Sequence, residues 1–256
     1  MTVISVITPV YNGGHHFLDE AYESLLDQDM PAGWTWQWVV QEDGETGVPA
    51  TALPADDPRI SYGTGRRGGA AMARTMALAR VTGSLVRALD ADDMLPVGAL
   101  RRGIEALTEH PEVGWAVSSA LDLLPDGSLR GSTIDPPAGL LAPGLLAGSY
   151  QAGQFAVMGT TLTVHTDLLH AVGGWPAVPA SEDVALLVLL EAVAPGWMIA
   201  EPGEIYRKHD GQVTAQAAHW EDAERDALAA VLLTRLDVLR RTGWRWTPTT
   251  QPKACL

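Results

Sequence analysis

Residues 3–44 run strand, helix, strand, and that order restricts how the chain can pair. Residues 3–10 are a β-branched run that ends in Tyr11-Asn12-Gly13-Gly14. Leu18, Ala21, Tyr22, Leu25 and Leu26 then recur at helical spacing, with Pro31 and Gly33 closing the segment. A second strand pattern follows at residues 36–40 and stops at Glu42-Asp43-Gly44. Two strands joined through a helical crossover lie parallel, so the chain opens as a β-α-β unit of an α/β sheet. The first loop has no G-x-G-x-x-G, which removes a dinucleotide-binding fingerprint.

The same grammar continues. Residues 59–62 read as a short strand, residues 70–80 as a helix closed by Gly83, and residues 84–89 as a buried strand interrupted by Arg87. After Pro96, Leu100, Ile104 and Leu107 share one helical face. Residues 113–118 are a strand, and Asp126-Gly127 is a hairpin signal. Residues 131–155, rich in Gly, Pro and Ala, have no period and read as an excursion over the substrate cleft. Residues 159–165 read as a strand and residues 166–172 as a short helix. Ser181 is placed to cap a helix over residues 182–194. Residues 199–202 and 205–209 read as two short extended pieces. A long helix then aligns Trp220, Leu228, Leu232, Leu236 and Leu239. The expected organisation is one α/β domain over 1–214, a helical appendage over 215–246 and a loose tail over 247–256.

Charge narrows the partners. The formal net charge is −14, opposite to the basic footprint of a nucleic-acid binder or of a protein drawn to anionic membrane. A nucleotide ligand survives this test, because a bound cation inverts the local field. The single cysteine, Cys255, forms no internal disulfide, the start lacks a signal-peptide pattern, and no apolar run reaches the ~18 residues of a membrane span. The expectation is a cytoplasmic chain with no integral membrane segment and no nucleic-acid partner.

The chemistry concentrates at Asp90-Ala91-Asp92-Asp93, a group of carboxylates at the mouth of a strand. Ligands of open α/β sheets bind at that edge. Crowded carboxylates call for a cation, and Mg²⁺ or Mn²⁺ suits oxygen donors and bridges to substrate phosphates. An isolated Asp-x-Asp reads first as a solvated acidic turn or a helix cap, so its meaning depends on the other segments.

Those segments together resemble family 2 glycosyltransferases of the GT-A fold. The resemblance rests on Ile4 to Asn12, Glu42-Asp43-Gly44-Glu45-Thr46, Gly69 to Arg74, Asp90-Ala91-Asp92-Asp93, Gly173-Gly174-Trp175 with Glu182-Asp183, and Tyr206-Arg207-Lys208-His209, in the family's order over about residues 3–214. Thr75 stands where the family usually has Asn, and Glu42 where it usually has Asp. The resemblance implies a GT-A-like domain with a mostly parallel, Rossmann-like central sheet flanked by helices, plus a C-terminal helix. It implies an inverting transfer of a sugar from a nucleotide-diphosphate sugar to an unidentified acceptor hydroxyl.

By that resemblance Thr8, Pro9, Tyr11, Asp43, Arg74, Asp90 and Ala91 bind the nucleotide-sugar, and Asp43 accepts the imide N–H of uracil or thymine, favouring UDP or dTDP. Arg74 alternatively forms an ion pair with Asp43 or Asp90. Asp92 and His209 hold the divalent metal, and Asp93 lies behind them or caps the next helix. Asp183 is the general base. The competing account of Glu182-Asp183 is a helix first turn, where the dipole favours acids. A sugar-1-phosphate nucleotidyltransferase would want a basic glycine-rich loop after the first strand, and Tyr11 to His16 contain no Lys or Arg. A sugar-nucleotide-binding pseudoenzyme or scaffold is the non-enzymatic alternative.

Overall fold

The computed structural model describes residues 1–131, 135–178, 180–209, 211–212 and 222–248, with the backbone alone for 222–225. Trp220, Cys255 and most of the tail expected beyond residue 247 lie outside the described residues. A nine-stranded sheet, β1 to β9 in chain order, forms the middle layer.

β1 (Thr2–Val10) pairs in parallel with β2 (Trp34–Glu42) and with β4 (Leu85–Ala88), and β2 pairs with β3 (Ile60–Gly63), also parallel. The opening crossover therefore forms as expected. Its helix, α1, spans Leu18–Leu26 after a 3-10 turn at Asn12–Phe17.

Beyond β4 the sheet is mixed rather than mostly parallel. β8 (Thr163–His165) inserts antiparallel between β4 and β5 (Trp115–Leu123). β9 (Gly196–Arg207) returns parallel to β5, and the short β7 (Gly139–Leu140) closes that edge antiparallel. β6 (Leu129–Gly131) forms the expected hairpin with β5. β9 is one strand, not the two pieces expected: Pro202 has no N–H for the ladder, and the register slips opposite Ser118 and Ser119 without ending the strand.

Helices cover both faces. In β1, Ile4 and Val6 face one way with Trp36 and Trp38 of β2, against α1 and α3 (Ala99–Glu109). Ile7 and Val39 face the other way, toward α2 (Ala70–Ala77), α5 (Thr166–Ala171) and α6 (Glu182–Val193). α6 buries Ala185 to Leu190 without a break, as befits a helix enclosed on all sides. α7 (Asp222–Thr242) lays Leu232 and Leu236 on that same core, so the C-terminal helix is packed into the domain.

The excursion at 131–155 also differs from expectation. It supplies β7 and a short helix, α4 (Leu145–Gln151), whose first-turn amides at Leu146 and Ala147 donate to Glu191 on α6 at 2.8 and 3.0 Å. Its described part serves the scaffold through those contacts. Among the described residues no helix is long and apolar enough to cross a membrane.

Candidate active site

β1, β2, β4, β5 and β9 all run the same way, so their C-terminal ends meet at one edge of the sheet. Tyr11, Asp43, Asp90 to Asp93 and His209 follow four of those ends. α6 precedes β9 and runs opposite to it, which delivers Glu182 and Asp183 to the same edge.

Asp92 and His209, distant in sequence, come together there: Oδ2 and Nε2 are 2.9 Å apart. Each side chain is 27% exposed, open enough for a ligand and sheltered enough to be held. Arg207 fixes the approach. Its Nε donates to the Asp92 carbonyl at 2.9 Å, its backbone N–H donates to Asp93 Oδ1 at 2.8 Å, and its Nη2 donates to Glu20 at 2.6 Å. Asp93 is buried, so it locks β9 to the acidic turn and does not cap α3. Burial and the nearby Glu204 raise its pKa well above the usual carboxylate range.

No group of three or more metal-capable side chains gathers among the described residues. One carboxylate and one imidazole nevertheless fit a divalent cation that takes its remaining ligands from a diphosphate and water. Beside His209 lies an open hollow of about 400 Å³, walled by Phe17, Leu123, Pro125, Arg207 and Lys208.

Arg74 is not free to serve as a nucleotide ligand. It is 3% exposed, and its guanidinium donates to Asp90 through Nη2 and to Glu182 through Nη1. Burial opposes its charge, but Asp90, Glu182 and Asp183 outweigh that and push its pKa up. Asp90 is correspondingly held by Arg74 at the wall of the cleft.

Asp183 accepts the Val184 N–H at 2.8 Å. It packs against Gly159, where a Cβ would fall 2.1 Å from Oδ2. Burial first, then the Glu182 charge, raise its pKa to about 6 against the pull of Arg74. Ser181 departs from expectation: at φ 58° it sits in the left-handed region and makes no side-chain cap.

At the nucleotide end, Asp43 Oδ1 accepts the N–H groups of Gly68 and Gly69 at 2.6 and 3.0 Å, and Oδ2 has no hydrogen bond among the described residues. Gly69 enters α2 at φ +85°, a conformation that favours glycine. Pro9 is buried at the end of β1, and Tyr11 is exposed with its ring over Gly13 and Gly14. Thr8 is a correction. Its side chain is wholly buried and accepts a hydrogen bond from Trp38 Nε1 at 2.9 Å, so it packs the core and lines no base. Ala91 is likewise buried, its methyl in the α1–α3 core. Glu42 anchors its own loop, accepting from Thr46, Gly47 and the Tyr62 hydroxyl.

One network escaped the sequence reading. Glu204 on β9 is fully buried, accepts Thr160 Oγ1 at 2.5 Å and faces Arg87 of β4 at 3.5 Å, directly behind the acidic turn. No local motif marks Glu204; only the pairing of a buried Arg on one strand with a buried acid on another would have revealed it.

The model of glycosyl transferase family 2 matches residues 5–125, the part of the chain that carries β1 to β5 and the acidic turn. A protein of Bacillus subtilis (strain 168), TuaG, assigned to teichuronic acid biosynthesis as a glycosyltransferase, is 32% identical over 112 residues, covering 42% of this chain and 43% of its own length. The chain thus spans less than half of that curated relative. Solved structures extend the likeness over the fold. TarS 1-349 of S. aureus, solved in complex with UDP-GlcNAc, superposes with a TM-score of 0.67 at 19% identity, covering 94% of this chain and 74% of that one. The mannosyltransferase PcManGT from Pyrobaculum calidifontis, solved with GDP-Man and Mn²⁺, gives 0.58 at 19% identity over 96% and 65%. The GT-A-like architecture of the chain therefore reaches well past the matched segment.

Proposed function

We propose that the chain is an inverting glycosyltransferase that moves a sugar from a nucleotide-diphosphate donor to an acceptor hydroxyl. The observation that carries this reading is the convergence, at one sheet edge, of Asp43, the Asp92–His209 pair and Asp183. Asp43 holds the base with its open oxygen. Asp92 and His209 would hold a divalent cation, which supplies charge neutralisation for the departing diphosphate. Asp183, its carboxyl pushed up to about 6, is matched to take a proton from the acceptor hydroxyl near neutral pH. The hollow beside His209 has room for a sugar-sized group. That PcManGT was solved with a nucleotide-sugar and Mn²⁺ supports the metal reading.

The experiment is calorimetric titration of UDP, with and without Mn²⁺, into the native chain and Asp92→Ala. Asp92 is partly exposed at a turn, so its loss spares the core. The native chain is expected to bind UDP in a Mn²⁺-dependent way and the variant to lose that dependence. Equal metal dependence in both would remove Asp92 from the site.

Base choice follows from Asp43. An imide N–H meets a carboxylate well, whereas adenine offers no such proton. UDP or dTDP should bind roughly tenfold or more tightly than ADP, since sites built around a hydrogen bond reject analogues that lack it. ADP binding as tightly as UDP would exclude Asp43 as the base reader.

A further inference from the structure

Glu182 and Asp183 are adjacent acids in one first turn, where a helix dipole favours both. The structure separates them through α2. Arg74 spends one Nη on Glu182 and the other on Asp90, its Nε has no hydrogen-bond partner among the described residues, and its guanidinium lies 5.9 Å from the Trp175 ring. Thr75, the next residue, accepts the Trp175 N–H at 3.1 Å and donates to the Trp175 carbonyl at 3.2 Å. α2 is thus tied to the segment leading into α6 and, by the neighbouring residue, to α6 itself and to the acidic turn after β4. Asp183 takes no hydrogen bond from the guanidinium; its bond is to the Val184 N–H.

We propose that Arg74 is a positioning residue that selects Asp183 as the base: it neutralises and locks Glu182 against Asp90, leaving the neighbouring carboxylate as the one able to accept a proton. The proposal rests on the glycosyl-transfer reading for the role of Asp183, and on geometry for the selection. The arrangement couples two sides of the cleft, since one cation holds Asp90 on the donor side and Glu182 on the base side. A lysine in its place has one ammonium and lacks the planar fork that serves two carboxylates at once. Among the described residues, the charged groups acting most strongly on Asp183 are Glu182 on its own helix, Arg74 from α2 and Asp90 from the turn after β4. Losing Arg74 removes the cation of that group and leaves two like charges, which favours the protonated form of Asp183.

The test is a carbon-13 carboxyl NMR titration of Asp183 in the full chain, in Arg74→Gln, Arg74→Lys and Glu182→Gln, with donor KM and kcat measured alongside. Arg74→Gln should raise the Asp183 midpoint by about one unit or more. Its kcat near pH 5 should fall about tenfold, because well below the midpoint a one-unit rise cuts the ionised fraction of the base about tenfold. Arg74→Lys should leave the midpoint nearer to native while still lowering kcat. Glu182→Gln, which keeps Arg74 and removes one negative charge, should lower the midpoint, and it decides the matter if Arg74→Gln does not fold. A folded Arg74→Gln with native midpoint and kcat overturns the proposal, as does an unmoved midpoint in Glu182→Gln. A native chain that transfers no sugar from any donor while the midpoints still move sinks the enzyme reading and supports the selection itself.

Discussion

Asp183→Asn is expected to lower turnover by about 10²–10⁴, the range lost with a general base, while donor affinity stays near native. The substitution keeps the size of the side chain and its capacity to accept the Val184 N–H, which the native carboxylate receives at 2.8 Å. It removes the capacity to take a proton. A carboxyl raised to about 6 by burial and by Glu182 also predicts the pH profile. The base must be ionised, so kcat/KM should climb as pH rises through about 6 and level off above it. The residual activity of Asp183→Asn should lack that rise. If Asp183 only supports the start of α6, the cost is instead the dipole contribution, about 0.3–1 kcal/mol of stability, with turnover at saturating substrate unchanged. Turnover and melting temperature on one purified variant separate the two. A slightly less stable, fully active Asp183→Asn would move attention to Glu182.

Much of this edge was readable from sequence because its signals are local. A strand and turn close at Pro9-Val10-Tyr11, strand, turn and acid recur at Glu42-Asp43-Gly44 and at Asp90 to Asp93, and a β-α-β unit forces those turns to one side. The pairing of Asp92 with His209 followed from resemblance; the structure explains it, since β9 runs in the same direction as β4 and Ile205 near its end bridges Met94, just after the acidic turn. The failures share another cause. Thr8 looked available because a strand end usually is, but Trp38 on the neighbouring strand turns its ring N–H onto that hydroxyl. For Arg74 the ion pair with Asp90 was one of the two expected roles, whereas its second acid, Glu182, is 108 positions away and had no local signal. The antiparallel entry of β8 was unreadable for the same reason: strand direction depends on where a crossover passes, and residues 131–155 carry no period from which to infer it. Thr75, where the family usually has Asn, does find its reason in the structure, since a hydroxyl that accepts from and donates to the Trp175 backbone performs the bonding an amide can.

Arg87 was the residue that least suited its strand, and removing it should produce the largest loss of stability. It is 2% exposed. Its Nη1 donates to the Thr161 carbonyl and its Nη2 to the Gly203 carbonyl at 2.7 Å, with Glu204 Oε2 at 3.5 Å. Burial lowers the arginine to about 10 and raises Glu204 to about 7, against the attraction between them. Such a pair adds little over a well-packed apolar substitute, yet breaking it on one side leaves a buried charge alone. Arg87→Met should therefore cost about 3–5 kcal/mol and lower Tm by about 10 °C. The sign of the pH effect follows from Glu204. Its folded pKa is raised above the unfolded value, so the fold favours the protonated acid, and stability falls as pH rises from about 4.5 toward about 7. Without Arg87 that gap widens. The difference in Tm between native and Arg87→Met should be small near pH 5, where Glu204 can carry its proton, and greatest above pH 7. Adding Glu204→Gln removes the stranded charge and should restore much of the loss at high pH. Thermal melts of the three proteins at pH 5 and pH 8 measure this. Equal losses at both pH values, or no recovery in the double variant, would mean that the lost carbonyl hydrogen bonds dominate and that the Arg87–Glu204 pair is incidental to the stability of the strand behind the acidic turn.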